Sequence, residues 1–301
     1  MNVTLWRTKM DTMYRIISLP SFFNLITHKT ERYVHPYTWE DTYEGYLLSF
    51  LGKNQNDTKQ ILEKLMNTFS INNLPTTVEN YFRLWSARWL CYGQCWTTRE
   101  ESDALWRIYS YDKMAIRIET DEQKIQELIQ NSDPHKQYLL QIKDIAYDLD
   151  TNGHLKTSEE LIIEMEANKN SFEPFFHKRC YFEHEHEKRV LLLDQSRYLG
   201  FTSMLSQASI VNYCKKYGDG DLSSYSVLQG LSKEIHSLLP SRIKENIPRS
   251  VEIYIPCLPD YIKSVMVHPQ AEDWIVKLIE STCSKEKIDF LGKSRMYERI
   301  S

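Results

Sequence analysis

KRCYFEHEHEKRVLLL, residues 178–193, sets glutamate and histidine in alternation, then an arginine, then an apolar run. Read as one strand, its side chains alternate between two faces. Glu183, Glu185, Glu187 and Arg189 share one face, and His184, His186 and Lys188 share the other. The run Val190–Leu193 predicts that the strand ends inside a core, which makes a sheet the centre of the fold. Three chemistries fit the charged half. The imidazole pair offers two nitrogens to a metal, but a zinc site needs a third and usually a fourth ligand, and no spacing supplies one. The carboxylate row repels itself, so Arg189 is expected to pair with Glu187 and hold it ionised. A carboxylate fixed beside a buried strand suits catalysis, and a plain solvated face with a surface ion pair fits the same letters.

Outward from this stretch, helical and strand periods interleave. Pro20 precedes SFFNLITHKTERY, which predicts a short helix from about Ser21. DTKQILEKLMNTF, from Asp57, places Ile61, Leu62, Leu65, Met66 and Phe69 at helical spacing. Thr76 with Glu79, Thr98 with Glu101, and Thr157 with Glu160 have the spacing of capping boxes. The helix after Thr98 would carry Leu105, Trp106 and Tyr109 on its inner face, and Asp121 would cap a helix through Ile125, Leu128 and Ile129. MYRIISLP, KMAIRIET, QYLLQIKDIAYDL, SVEIYIPC, IKSVMVHP and KIDFLG alternate as strands, while SSYSVLQGLSKEIHSLL and AEDWIVKLIEST are helical. The spacing lacks regular βαβ units. The expectation is therefore an α+β fold, a mixed or antiparallel central sheet with surrounding helices. It forms a single domain over 1–301, with a mobile insertion around 152–172.

Composition narrows the function. The chain has 301 residues, is 42% hydrophobic and 26% charged, and carries a net charge of −4, so no broad basic field marks a duplex-coating protein. Its six cysteines fall at irregular spacings with no CxxC pair, which reads as reduced thiols in a cytoplasmic protein. No apolar run is long enough to span a bilayer, and no membrane partner is expected. The nine glycines form no phosphate-binding loop, and HExxH and GxSxG are absent. Nucleotide chemistry, if this chain performs it, must use side chains and isolated backbone amides. Seven Trp, 19 Tyr and 11 Phe make either a ring-rich core or an aromatic pocket for a flat ligand.

Several separate pieces, in order, resemble the DUF2971 family, a bacterial family of undefined function. They are LWR at 5–7, WEDTYEG at 39–45, CWTTREESDALWRIYS at 95–110, KRCYFEHEHEKR at 178–189, IYIPCLPDYIKSVMVHPQA at 253–271 and SRMYE at 294–298. The family's Lys, aromatic, Glu-x-Glu-x-Arg pattern falls on Lys178, Phe182, Glu185, Glu187 and Arg189; its Trp-x-x-Tyr falls on Trp106 and Tyr109, and its Asp-x-x-Glu on Asp41 and Glu44. Phe182 stands where Trp is usual, and Thr42 where Pro is common.

The order of parts also resembles a divergent ADP-ribosyltransferase, a likeness at the level of fold. That resemblance implies NAD as substrate, with Glu187 as catalytic carboxylate and Glu185 positioning the acceptor or exchanging roles with it. It implies Arg7, Trp106, Tyr109, Ser110 and Arg189 around the dinucleotide, with Asp41 and Glu44 as further pocket candidates and no metal ligand. The acceptor would be a protein or nucleic acid, or water in an NAD glycohydrolase. A bacterial toxin or phage-defence effector, with a partner protein of the defence system, would use such chemistry. Two readings stand against it: a metal-dependent hydrolase or nuclease using His184 and His186, and a non-catalytic module that binds a nucleotide or peptide.

Overall fold

The computed structural model describes residues 12–39, 88–133, 137–150, 172–196 and 247–298, with isolated positions between them. Arg7, Glu44, the Thr157 cap and nearly all of the expected insertion lie outside the described residues; the helix expected from Asp57 is described only at 59–60 and 63, and that expected from Thr76 only at 88–89, and these positions are helical. The helix expected over 223–239 is described only at 229–230 and 232–233, which are helical.

The fold is α+β. One mixed sheet contains β1 (Thr12–Ile17), β2 (Thr30–Val34), β3 (Cys91–Thr97), β4 (Ile116–Asp121), β5 (Tyr138–Asp144), β6 (Glu187–Asp194), β7 (Ser250–Tyr254), β8 (Ser264–Val267) and β9 (Asp289–Lys293). Its main path runs β5-β6-β3-β1-β4-β8-β9, and β2 joins β3 to β7 off that path. The pairs are antiparallel except β8 with β9. The sheet forks at β3. One edge of β3 pairs with β6 along its length; the other meets β2 at Gly93 and β1 at Thr97.

Antiparallel partners share a face, so the register sorts the side chains. Met13, Tyr92, Trp96, Ile116, Ile118, Val190, Leu192, Val265 and Val267 point into the main core. That core is closed by α1 (Leu19–His28), α3 (Glu122–Ser132), α4 (Leu258–Tyr261) and α5 (Asp273–Glu286). The opposite face carries Tyr14, Cys95, Thr97, Glu187 and Arg189. Over it lie α2 (Asp103–Tyr109) and the segment 172–186.

Three boundaries differ from the expectation. The first helix begins at Leu19 and takes Pro20 into its first turn, where a missing N–H costs nothing. Ser18 caps it by accepting from the Ser21 N–H, and it ends at Lys29 in a left-handed conformation, φ 51°. Thr30–Val34 is then a strand instead of more helix. The Thr98/Glu101 box does not form. Helix α2 starts at Asp103, the Thr98 hydroxyl donates to the His186 carbonyl, and Glu101 accepts from the Trp106 indole. The long strand expected through 149 stops at Asp144. Beyond it, Ala146 bridges His177 in parallel, which ties 145–149 to the entry of the acidic stretch.

Candidate active site

Residues 178–193 are not one strand. Cys180–Glu185 forms a 3-10 turn, His186 is left-handed with φ 43°, and β6 begins at Glu187. The expected carboxylate row is therefore broken between Glu185 and Glu187, and so is the imidazole pair. His184 Nδ1 lies 3.2 Å from the Tyr181 carbonyl, while His186 Nε2 lies 2.6 Å from an Arg99 nitrogen. No group of three or more His, Cys, Asp or Glu side chains among the described residues could hold a metal ion.

Within β6 the two-residue period holds. Glu187 and Arg189 share a face, and Arg189 Nε donates to Glu187 Oε1 at 2.7 Å. Lys178 reaches both carboxylates, 2.6 Å from Glu185 Oε2 and 3.2 Å from Glu187 Oε2. The Glu187 N–H donates to the Tyr147 hydroxyl at 2.7 Å. Glu187 is only 3% exposed. Burial alone would push its carboxyl up, but Arg189 and Lys178 outweigh that, aided by hydrogen bonds from Arg189 and the Cys95 thiol, and lower it to about 2. It is an anion at any physiological pH.

A cavity of about 140 Å³ opens on this pair. Tyr14, Ile16, Cys95, Thr97, Leu105, Tyr109, Glu185 and Glu187 line it, with Arg15 and Trp96. Tyr109, Glu185 and Glu187 thus share one cavity wall. Tyr109 keeps 47% of its surface in solvent, yet its phenol is raised above its usual value, first by burial and then by Glu185. Lys178 and Arg189 do not line the cavity, so the carboxylates face inward with their cations behind them. Arg15 does line it, but its guanidinium is committed to both oxygens of Glu31 at 2.9 and 3.0 Å.

The remaining sequence candidates lie elsewhere. Trp106 is fully buried and meets the His268 ring edge-on at 5.3 Å, so it is core. The Ser110 hydroxyl accepts from the Ala115 N–H at 3.0 Å and lies by a separate hollow with His268 and Tyr297. Asp41 accepts from Arg179 at 3.1 Å and does not line the cavity.

A comparison with protein-family models finds no match, and no curated protein or solved structure matches the chain. The resemblances stated above rest on the residues quoted for them.

Sequence reasoning missed Tyr14, Arg15, Cys95 and Thr97. Strand β3, CYGQCWT, carries a usable signal: large Tyr92, Gln94 and Trp96 alternate with small Cys91, Gly93 and Cys95. One strand with a bulky face and a spare face leaves room on the spare side, and the cavity lies there.

Proposed function

We propose that this chain is an enzyme that cleaves the bond between a cationic ring and a ribose. NAD is the substrate, nicotinamide the leaving group, and the ADP-ribose goes to a protein or nucleic-acid acceptor or to water. The observation that carries this reading is the convergence of Glu185, Glu187 and Tyr109 on one cavity, with both compensating cations outside its wall, behind the carboxylates. Bond cleavage leaves electron deficiency at the sugar, as in glycoside hydrolysis, and fixed carboxylates stabilise that charge without reorganising.

The volume supports a single ring. About 140 Å³ is close to the roughly 150 Å³ cavity that holds one benzene molecule, so the rest of a dinucleotide would lie outside it. Tyr109 and Tyr14 supply aromatic rings to its wall, although the Arg117 guanidinium lies 4.7 Å over the Tyr14 ring, which leaves Tyr109 as the ring for a cation there. The two glutamates divide the work unequally. Both oxygens of Glu187 are engaged, one by Arg189 and one by Lys178. Glu185 spends Oε2 on Lys178, and its other oxygen accepts nothing among the described residues. Glu185 is therefore the carboxylate with capacity for a sugar hydroxyl or an incoming nucleophile, and Glu187 sets its position through Lys178.

Purified protein incubated with NAD should release nicotinamide, and Glu185→Gln should lower the release by ~100-fold or more. No release, even with cell lysate as a source of acceptors, would remove this reading. In a bacterium, expression of the wild type should be toxic through NAD loss, and the same variant should relieve that toxicity.

A further inference from the structure

Trp39, Asp41 and Tyr43 are absent from the cavity wall, yet their side chains bracket the acidic stretch. Trp39 covers Arg189, with the guanidinium carbon 4.3 Å from the ring centre. That arginine is fully buried, donates to Glu187 from Nε, and donates to the Phe175 carbonyl from Nη1 at 2.5 Å. At the other end, Arg179 donates to Asp41 and lies 4.1 Å from the Tyr43 ring centre. The Arg179 carbonyl accepts from the Phe182 N–H at 3.1 Å, so this residue opens the turn that ends in Glu185. Asp41 also accepts from the Tyr43 N–H at 2.9 Å, which ties Tyr43 to the same carboxylate that meets Arg179.

Gly93 makes the first contact possible. A Cβ there would lie 2.6 Å from a Trp39 ring carbon and 2.9 Å from a Leu191 methyl. The indole therefore lies against the backbone of β3, where a side chain cannot be accommodated. Glycine is needed at this position for space.

We infer that Trp39, Asp41 and Tyr43 act as a strap that positions the acidic site without touching the substrate. Trp39 fixes Arg189 behind Glu187, and Asp41 with Tyr43 fixes Arg179 at the start of the turn that carries Glu185. Trp39, Asp41 and Tyr43 are positioning residues, and the inference rests on Glu185 and Glu187 being the working carboxylates. Arginine suits both places because its planar guanidinium can hydrogen-bond along its edge while an aromatic ring covers its face. Loss of that cover lets the carboxylate wander, and a misplacement of about 1 Å costs on the order of 100-fold in rate.

The test compares Trp39→Leu, Trp39→Phe and Asp41→Asn by two readouts. One is solvent exchange of the Arg189 Nε–H by nitrogen-resolved NMR; the other is nicotinamide release with kcat and KM separated. Trp39→Leu should speed the exchange at least ~10-fold and lower kcat ~10- to 100-fold with KM nearly unchanged, and Trp39→Phe should restore most of both. Asp41→Asn should lower kcat less and leave the Arg189 exchange near wild type. Wild-type exchange in folded Trp39→Leu overturns the strap. If Trp39→Leu does not fold, the ring-swapped Trp39→Phe decides through the same signal. It must keep the Nε–H protected and kcat within about threefold, because the aromatic cover is retained. If the wild type releases no nicotinamide, the proposed reaction fails, while the exchange readout still decides the strap.

Discussion

Glu31 and Glu187 are buried to almost the same depth, 4% and 3% exposed, on opposite faces of one sheet. Each pairs with an arginine two strands or two residues away. Glu31 sits at the fork between β1, β2 and β3, and its oxygens accept from Arg15, Gln94, the Tyr261 hydroxyl and the Arg32 N–H. Donors surround it, and it does not line the cavity that opens on Glu187. Glu187 has its cations on one side only, a second carboxylate beside it, and a cavity in front. Burial and an ion pair are common to both, so neither identifies a working group. The difference lies in whether the donors close around the carboxylate or leave one side open.

The largest effect expected is on the closed side. Glu31→Ala removes the shared acceptor and leaves the Arg15 charge uncompensated in a mostly buried place, so unfolding in urea should show a loss of ~3–5 kcal/mol. A loss below about 1 kcal/mol would mean that the fork is held by packing alone, and the contrast with Glu187 would disappear. On the open side the response should appear in turnover. Glu185→Gln should lower nicotinamide release by ~100- to 1000-fold, the scale of removing one group that stabilises transition-state charge. Its effect on stability should stay under about 1 kcal/mol, because the Glu185 side chain is 13% exposed and the amide retains an oxygen for Lys178.

Acid should separate the two glutamates further. The folded-state value of Glu187 is lowered from 4.5 to about 2. A depressed carboxylate stabilises the folded state above its unfolded value and loses that contribution as pH falls through its folded value. Wild type should therefore lose stability between about pH 4.5 and 2, by as much as about 3 kcal/mol from this residue. Glu187→Gln should flatten that part of the profile. Glu173, also lowered to about 2 by His177 and Lys143, should leave a residual slope that Glu173→Gln removes. A Glu187→Gln profile that parallels wild type would show that Arg189 and Lys178 do not hold the carboxyl down.

The sequence carried much of this arrangement, and the parts it did not carry share a physical cause. The sheet strands near 116, 251, 265 and 290 were legible because their apolar positions alternate, and the strand near 190 because its apolar run Val190–Leu193 is continuous. The pairing of Glu187 with Arg189 was legible because two residues is the strand repeat. Alternation misled where it was polar. Residues 183–186 alternate Glu and His, yet they form a turn, because a left-handed His186 reverses the chain and lets Lys178 collect both carboxylates. Nothing in a polar alternation says whether a sheet partner exists. Strand β2 was hidden by an uninterrupted helical period through Tyr33, and only the left-handed Lys29 separates it from α1. Arg15 and Cys95 reach the cavity wall through strand order, and pairing between segments distant in sequence leaves no local mark.

The smallest effect expected comes from the imidazoles beside the acidic pair. His184 is exposed and bonds only within its own turn, so His184→Ala should change stability by less than about 0.5 kcal/mol and nicotinamide release by less than about twofold. His186 holds a left-handed conformation that asparagine also tolerates, which makes His186→Asn the substitution that removes the ring while retaining the turn. Its loss of the Arg99 contact is at the surface, so the melting temperature should move little and turnover should stay within about twofold. A drop in turnover as deep as that of Glu185→Gln, with the fold intact, would bring an imidazole into the reaction. The division between a closed carboxylate shell and an open acidic one would then be too simple, because the open side would use a nitrogen base as well.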